Sequence, residues 1–241
     1  PAAFFSVHAL KDPEFTTKLA KFIRAGKPVL LTDGLAQSMA GKMKLDAPNV
    51  RVLPVKGDPK SFLADERVRP ETTMETLGKL RPAFQKDGTV TAGNAPGLND
   101  GGSAVVVMSG AALKRTGSTP LARINGYATG GVAPELVFYA PVIAVRKLAE
   151  KLGRKTSAWD LIEANEAFAA QACAVNKEMG WDLKKVNVSG GAIALGHPIG
   201  ASGARVLVTL LYGMERTGAK KGLATLCIGG GMGIAMCVER G

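Results

Sequence analysis

Cysteine and histidine are scarce in this sequence, which limits the kinds of site it can hold. The 241 residues include three cysteines, Cys173, Cys227 and Cys237, and two histidines. Three dispersed thiols do not form a disulfide framework, so a reducing compartment is expected. The spacing of these residues does not match a zinc site, and no metal is predicted.

Long apolar runs are also absent, and aromatic residues make up only 5% of the chain. No stretch approaches the roughly 18 apolar residues of a membrane span, and residues 1–5 lack the basic region of a secretory signal. The net charge of +11 is spread along the chain, which leaves a solvated basic surface, an anionic ligand or nucleic acid as explanations. Nucleic acid is supported by charge alone, because no binding motif is present. We expect a cytoplasmic protein with neither membrane nor nucleic acid as partner.

Apolar residues make up 46% of the chain, enough to build a core. Their periodicity predicts alternating helices and strands, and therefore a layered α/β fold. Helices are predicted over 12–25, 34–42, 73–80, 141–152, 166–179 and 199–216. Strands are predicted over 28–32, 50–55, 104–108, 122–129, 186–188, 223–228 and 233–238. Consecutive glycines between the last two strands predict an antiparallel hairpin.

A histidine and a cysteine stand beside glycines in the last third of the chain. His197 lies between Gly196 and Pro198, just before a predicted helix, where its ring can exchange protons near neutral pH. Cys227 ends an apolar strand and enters a glycine turn whose N–H groups can stabilise a thiolate or an oxyanion. A structural histidine and a small buried thiol remain the alternatives. Cys173 and Cys237 lie in apolar patterns and are predicted to be core.

Three motifs together resemble the thiolase family in their order and spacing. They are Asn165-Glu-Ala-Phe, Gly196-His-Pro-Ile-Gly-Ala-Ser-Gly-Ala-Arg and Cys227-Ile-Gly-Gly-Gly-Met-Gly. The run from Lys79 to Asn94 is similar to the family's coenzyme A-binding loop region. The resemblance implies an acyltransferase that performs Claisen condensation of acetyl-CoA or thiolytic cleavage of a 3-ketoacyl-CoA. The coenzyme A thioester would be the substrate, with no separate cofactor, and a homo-oligomer is implied.

The same resemblance assigns roles to individual residues. His197 would activate the nucleophile and help to form an oxyanion hole, and Asn165 would hold a water that completes it. Cys227 would move a proton on and off the substrate α-carbon or the leaving thiol, and the N–H of Gly229 would serve a second oxyanion hole. Coenzyme A contacts are expected from Leu80, Phe84, Ala92, Pro96 and Phe168.

The sequence also departs from the thiolase pattern. Thiolases carry a first, nucleophilic cysteine in an N-terminal domain, whereas residues 1–64 contain no cysteine. Pro96 replaces a common serine, and Phe138-Tyr139-Ala140 replaces a glycine-rich stretch. A non-catalytic protein that binds acyl-CoA or another subunit is therefore the alternative.

The expected architecture is a thiolase-like layered α/β fold with a complete C-terminal domain and most of the N-terminal domain missing. Residues 1–64 are predicted to be a small α/β segment of unrecognised origin, and 65–98 the remainder of the coenzyme A loop region. Residues 99–118 would form the last strand and helix of the N-terminal thiolase domain. Residues 119–241 would form its C-terminal domain.

Overall fold

The computed structural model describes residues 3–5, 17, 21, 29–31 and 68–241. The chain divides into two units, Pro1–Glu66 and Arg67–Gly241. In the first unit, strands β1 (Ala3–Phe5) and β2 (Val29–Leu31) pair in parallel. The strand predicted over 28–32 is therefore confirmed. The helix predicted over 34–42 and the strand over 50–55 lie outside the described residues.

The second unit contains a four-stranded sheet. Its strands are β3 (Arg123–Gly131), β4 (Leu161–Ala164), β5 (Lys221–Gly229) and β6 (Met232–Glu239), in the order β3-β6-β5-β4. Strand β4 runs parallel to β5, and the other neighbours are antiparallel. The β5–β6 hairpin is confirmed, and Gly230 and Gly231 turn it with positive φ angles of 57° and 84°.

Six α-helices are described in this unit. They are α1 (Met74–Gly78), α2 (Gly110–Thr116), α3 (Ala140–Lys151), α4 (Ala169–Met179), α5 (Ala192–Leu195) and α6 (Ser202–Thr217). Thr73 begins α1 with a capping box, and Pro141 lies in the first turn of α3, where its missing N–H costs nothing. Helices α4 and α6 confirm the predicted helices but begin three residues later. Across the described ranges, no helix is long and apolar enough to cross a membrane.

The core has one apolar cluster on each face of the sheet, because side chains alternate along a strand. On one face, Ile162, Leu223 and Cys237 pack with residues of α3 and α4. Their chain neighbours Leu161, Ala224 and Val238 point the other way and pack against α6. The second unit is therefore a helix–sheet–helix arrangement.

Three predictions for this unit are wrong. Residues 104–108 form no strand, and Val106 and Val107 are 78% and 70% exposed. A strand needs a hydrogen-bonded neighbour, and none is present for this run among the described residues. At 186–188 only Val186 makes a bridge, to Ile162, because Asn187 then turns with φ 47°. Cys173 is exposed rather than core, whereas Cys237 is buried as predicted.

Candidate active site

The carboxyl ends of the parallel strands β4 and β5 meet at one edge of the sheet, where open α/β sheets place their ligand sites. Asn165 follows β4 directly, and its backbone N–H donates to the carbonyl oxygen of Thr225 at 2.9 Å. Thr225 pairs with Ala164 in the parallel register, and Cys227 lies further along the same strand. Asn165 and Cys227 therefore come from adjacent strands, whose backbones are about 4.8 Å apart in any sheet.

The segment that carries His197 is held against the loop of residues 89–101. The N–H of His197 donates to the carbonyl oxygen of Gly97 at 2.9 Å, and Leu98 pairs with His197 in a parallel bridge. Gly196, which ends α5, has φ 99°, and a Cβ there would lie 2.2 Å from Asn99 Oδ1. Only glycine can therefore occupy this position, and its backbone conformation places His197 directly beside the loop.

The imidazole of His197 is oriented by Ser202, the first residue of α6. His197 Nδ1 lies 2.6 Å from Ser202 Oγ, and that hydroxyl donates its only hydrogen to the Pro198 carbonyl oxygen at 3.0 Å. In this arrangement Ser202 accepts from Nδ1–H, the tautomer that also leaves Nε2 as an acceptor for the Asn165 amide. In the neutral ring Nε2 then carries the free lone pair, as a proton acceptor requires.

Asn165 is the side chain that faces this lone pair. It is buried, and its amide Nδ2 lies 3.5 Å from His197 Nε2, a long hydrogen bond. Its Oδ1 is also buried, with no hydrogen-bond partner in the described part of the chain. The structure thus brings together two predicted site residues that lie far apart in the sequence, and it leaves an acceptor oxygen beside them.

Burial and one nearby cation set the protonation of this region. Burial, with a smaller contribution from the Arg205 guanidinium, lowers the pKa of His197. The imidazole is therefore neutral at pH 7 and can act as a base. Beneath the site, Glu163 is 1% exposed and lies 3.8 Å from Arg205 Nη1. Burial raises the pKa of Glu163 to about 7, because the attraction of Arg205 at this distance does not offset the loss of hydration.

Cys227 is half-buried at the end of β5. In the pairing of β5 with β6, Cys227 lies opposite Gly233 and Gly229 lies opposite Met232, so one residue of β5 is left without a partner on β6. The skipped residue, Ile228, forms a bulge, a device that redirects neighbouring side chains. Burial raises the pKa of the Cys227 thiol above its ordinary value, so the sulfur is protonated at neutral pH. A protonated thiol is suited to donating a proton.

An aromatic cluster lies beside the Asn165 turn. The ring of Phe168 makes edge contacts with Phe84 at 5.9 Å and with Phe138 at 5.2 Å between centroids. Phe84 is 73% exposed, so the cluster offers an apolar surface to solvent. The carbonyl oxygen of Asn94 accepts the N–H of Ala169 at 3.0 Å, which ties the loop to the start of α4.

Three other residues are expected to contact coenzyme A: Leu80, which lies just after α1, and Ala92 and Pro96, which lie on the loop of residues 89–101. Leu80 follows α1 and is partly exposed, and a Cβ on Gly93 would meet it at 2.5 Å. Ala92 is exposed and Pro96 is half-buried.

Several residues of the site were missed by sequence reasoning. Ser202 lies five residues after His197, within the same glycine-rich motif. Glu163, Glu166 and Arg205 carry no separate signal, because their interactions depend on chain segments that only folding brings together. Within the part of the chain that the structure describes, no group of His, Cys, Asp or Glu could hold a metal ion.

Comparison with known proteins identifies the family. The sequence pattern described as "Thiolase, C-terminal domain" matches residues 118–240, and "Thiolase, N-terminal domain" matches residues 36–111. This chain belongs to the thiolase family. The likeness begins at residue 36 rather than near Asp65, where the motifs alone put it.

Characterised relatives and solved structures agree with this assignment. The chain is 58% identical over 205 residues to an acetyl-CoA acetyltransferase of Allochromatium vinosum, covering 85% of this chain and 52% of that protein. It is 62% identical over 176 residues to an acetyl-CoA acetyltransferase of Shinella zoogloeoides, covering 73% of this chain and 45% of that one. The chain spans about half the length of the curated relatives it matches.

Two solved structures share the fold. The Bacillus anthracis acetyl-CoA acetyltransferase is 50% identical, with a TM-score of 0.69, covering 73% of this chain and 44% of that one. Human mitochondrial 3-ketoacyl-CoA thiolase in complex with CoA is 44% identical, with a TM-score of 0.67, covering 73% and 45%. At these identities the thiolase-like α/β fold is established for the second unit.

Proposed function

We propose that this chain supplies the proton-transfer residues of a thiolase-type acyltransferase. The reaction would be Claisen condensation of acetyl-CoA or thiolytic cleavage of a 3-ketoacyl-CoA, as part of acyl-CoA or fatty acid metabolism. The observation that carries the proposal is the approach of Asn165 Nδ2 to His197 Nε2 at 3.5 Å. Asn165 follows β4, and Cys227 lies near the end of the adjacent strand β5.

His197 acts as the base in the first stage. With Nδ1–H donated to Ser202, its Nε2 takes the proton of a nucleophilic thiol as that sulfur attacks the thioester carbonyl carbon. The new Nε2–H then donates to the carbonyl oxygen as negative charge develops on it. Asn165, with its unpartnered Oδ1, would hold a water that donates to the same oxygen.

Cys227 acts as the proton carrier of both stages. Its protonated thiol gives a proton to the departing coenzyme A thiolate when the carbon–sulfur bond breaks. The resulting thiolate then removes the α-proton of the second acetyl-CoA, whose carbanion attacks the acyl group on the nucleophilic sulfur. The bond between the acyl carbon and that sulfur breaks, and the sulfur takes back the proton held on His197 Nε2. The N–H of Gly229, in the glycine turn, would stabilise the enolate oxygen.

The nucleophile has to come from outside the described site. The first cysteine of the sequence is Cys173, which is exposed on α4. The proposed chemistry therefore requires the nucleophilic cysteine of an N-terminal thiolase domain, which residues 1–241 do not supply. The substrate's pantetheine would lie on the aromatic cluster of Phe84, Phe138 and Phe168, and Leu80, Ala92 and Pro96 would line its approach.

A reconstitution assay tests the proposal. The full chain is assayed for acetoacetyl-CoA thiolysis alone and with an N-terminal fragment of the Shinella zoogloeoides relative that carries the nucleophilic cysteine. We expect coenzyme A binding by calorimetry, no turnover alone and turnover in the mixture. His197→Ala should abolish turnover and leave binding unchanged. Turnover by the chain alone would show that it already holds a nucleophile. The proposal would be refuted if the mixture showed no coenzyme A binding and no turnover.

A non-catalytic role in acyl-CoA binding or subunit interaction is the second candidate. It is favoured by the exposed run Val105–Met108, an apolar segment of the kind that protein partners cover. Coenzyme A binding without turnover in the mixture would support it. We also propose a cytoplasmic homo-oligomer, which size-exclusion chromatography and cell fractionation test.

A further inference from the structure

Glu166, the residue after Asn165, binds the segment that leads to His197. Its Oε1 accepts a hydrogen bond from Asn187 Nδ2 at 3.2 Å, and its Oε2 accepts one from the backbone N–H of Ile193 at 3.1 Å. Ile193 lies in α5, the short helix that ends immediately before Gly196 and His197. The carboxylate therefore connects the end of β4 to both ends of the segment 187–193.

The opposite side of this contact is shaped to accept the carboxylate. A Cβ added to Gly191 would lie 2.2 Å from Glu166 Cδ, so the backbone approaches the carboxylate as closely as glycine permits. Asn187 completes the junction, because its side chain accepts the N–H of Ala164 at 2.9 Å and donates to the Ala164 carbonyl oxygen at 2.8 Å. Asn187 thus pairs with β4 as a neighbouring strand would.

We propose that Glu166 is a positioning residue whose carboxylate anchors the segment 187–193 to the end of β4 and so holds the His197 ring beside Asn165. The inference rests on the proposed function, because this placement matters only if His197 and Asn165 act on one substrate atom. Asn165 and Glu166 are the two residues that follow β4. One contacts the imidazole itself, and the other binds the segment that carries it.

The orientation of the ring gives a direct readout. In the arrangement described above His197 donates Nδ1–H to Ser202, and we expect the Nδ1–H form to predominate when the ring is neutral. If the anchor is lost, α5 moves and this hydrogen bond weakens, so the ratio of the Nδ1–H to the Nε2–H form should fall. Loss of one hydrogen bond of ordinary strength corresponds to about a fivefold fall.

The experiment is ¹⁵N NMR of the imidazole nitrogens in the full chain. There are two histidines in the sequence, so His8→Gln identifies the His197 signals. Glu166→Ala removes both acceptors and should lower the tautomer ratio about fivefold. Glu166→Gln keeps one acceptor but turns an NH₂ toward the second donor, and it should give a smaller change. Gln171→Ala is the matched control, since Gln171 accepts the Ala167 N–H in the same turn and has no hydrogen bond to the segment 187–193 among the described residues.

Gly191→Ala tests the contact from its other side, because the new methyl group must displace the carboxylate. It should shift the tautomer ratio in the same direction as Glu166→Ala. The proposal is overturned if folded Glu166→Gln and Gly191→Ala both keep the parent ratio, or if Gln171→Ala changes it as much. Because the readout needs no acyl-CoA, failed reconstitution together with an altered tautomer ratio rejects the proposed function alone.

Discussion

The buried ion pair between Glu163 and Arg205 should cost stability at neutral pH rather than contribute to it. Burial raises the pKa of Glu163 from 4.5 to about 7. The folded state therefore binds a proton that the unfolded state releases between these two values. Binding of this proton to Glu163 stabilises the folded state. This contribution is fully present below pH 4.5 and is lost as the pH rises through 7, and the pKa shift corresponds to about 3 kcal/mol.

Replacing Glu163 by Gln removes the ionisable group and keeps its shape. Below pH 4.5 the variant and the parent should have similar free energies of unfolding, since Glu163 is then neutral in both states. At pH 8 the variant should be more stable, by up to about 3 kcal/mol. The opposite expectation is that an unpaired Arg205 outweighs this gain, and the sign of the difference decides between them.

Urea unfolding followed by tryptophan fluorescence measures this difference. The two tryptophans, Trp159 and Trp181, are both buried in the core of the second unit. Glu75→Gln is the control, because it removes an exposed ion pair with Lys79 and should change stability by less than about 1 kcal/mol. A Glu163→Gln variant less stable than the parent at pH 8, or a difference independent of pH, would refute the reasoning.

Two further predictions concern the thiols and the hairpin turn. Under limiting iodoacetamide at pH 7.5, Cys173 should be alkylated first, and Cys237 only on unfolding. Cys227 should be alkylated slowly, because burial raises the pKa of its thiol. Peptide mass spectrometry distinguishes the three sites, and fast labelling of Cys227 would contradict its protonated state. Gly231→Ala should destabilise the second unit by at least about 2 kcal/mol, because a Cβ there would lie 2.2 Å from the Val132 carbonyl oxygen and the φ of 84° disfavours side chains; an unchanged urea midpoint would exclude that strain.

Elements whose signals are local could be predicted from the sequence. The helix over 141–152 follows from Pro141 and an apolar stripe, and the final hairpin follows from its glycines. The run 104–108 has the composition of a strand but not its neighbour, and a sequence does not show which partner is present. Cys173 lies on a weakly amphipathic helix, where periodicity hardly separates the buried face from the exposed one.

The candidate site could be predicted only in part. His197 and Asn165 carry motif signals, and the structure places them in contact. The hydrogen bond from His197 to Gly97 and the aromatic pair of Phe138 and Phe168 join segments that are distant in sequence. No local sequence pattern predicts these contacts. The likeness upstream of residue 65 was missed because residues 36–64 carry none of the reactive motifs.

The exposed valines at 106 and 107 have a practical consequence for anyone who makes this protein. A short, uncharged, β-branched run with no strand partner among residues 3–5, 29–31 and 68–241 is a template for other extended chains during synthesis and concentration. Recovery from cells should therefore improve at low temperature, at low protein concentration and with co-expression of a polypeptide that covers the run. Substituting Lys for Val106 would give a handle on yield that leaves His197 and Asn165 untouched.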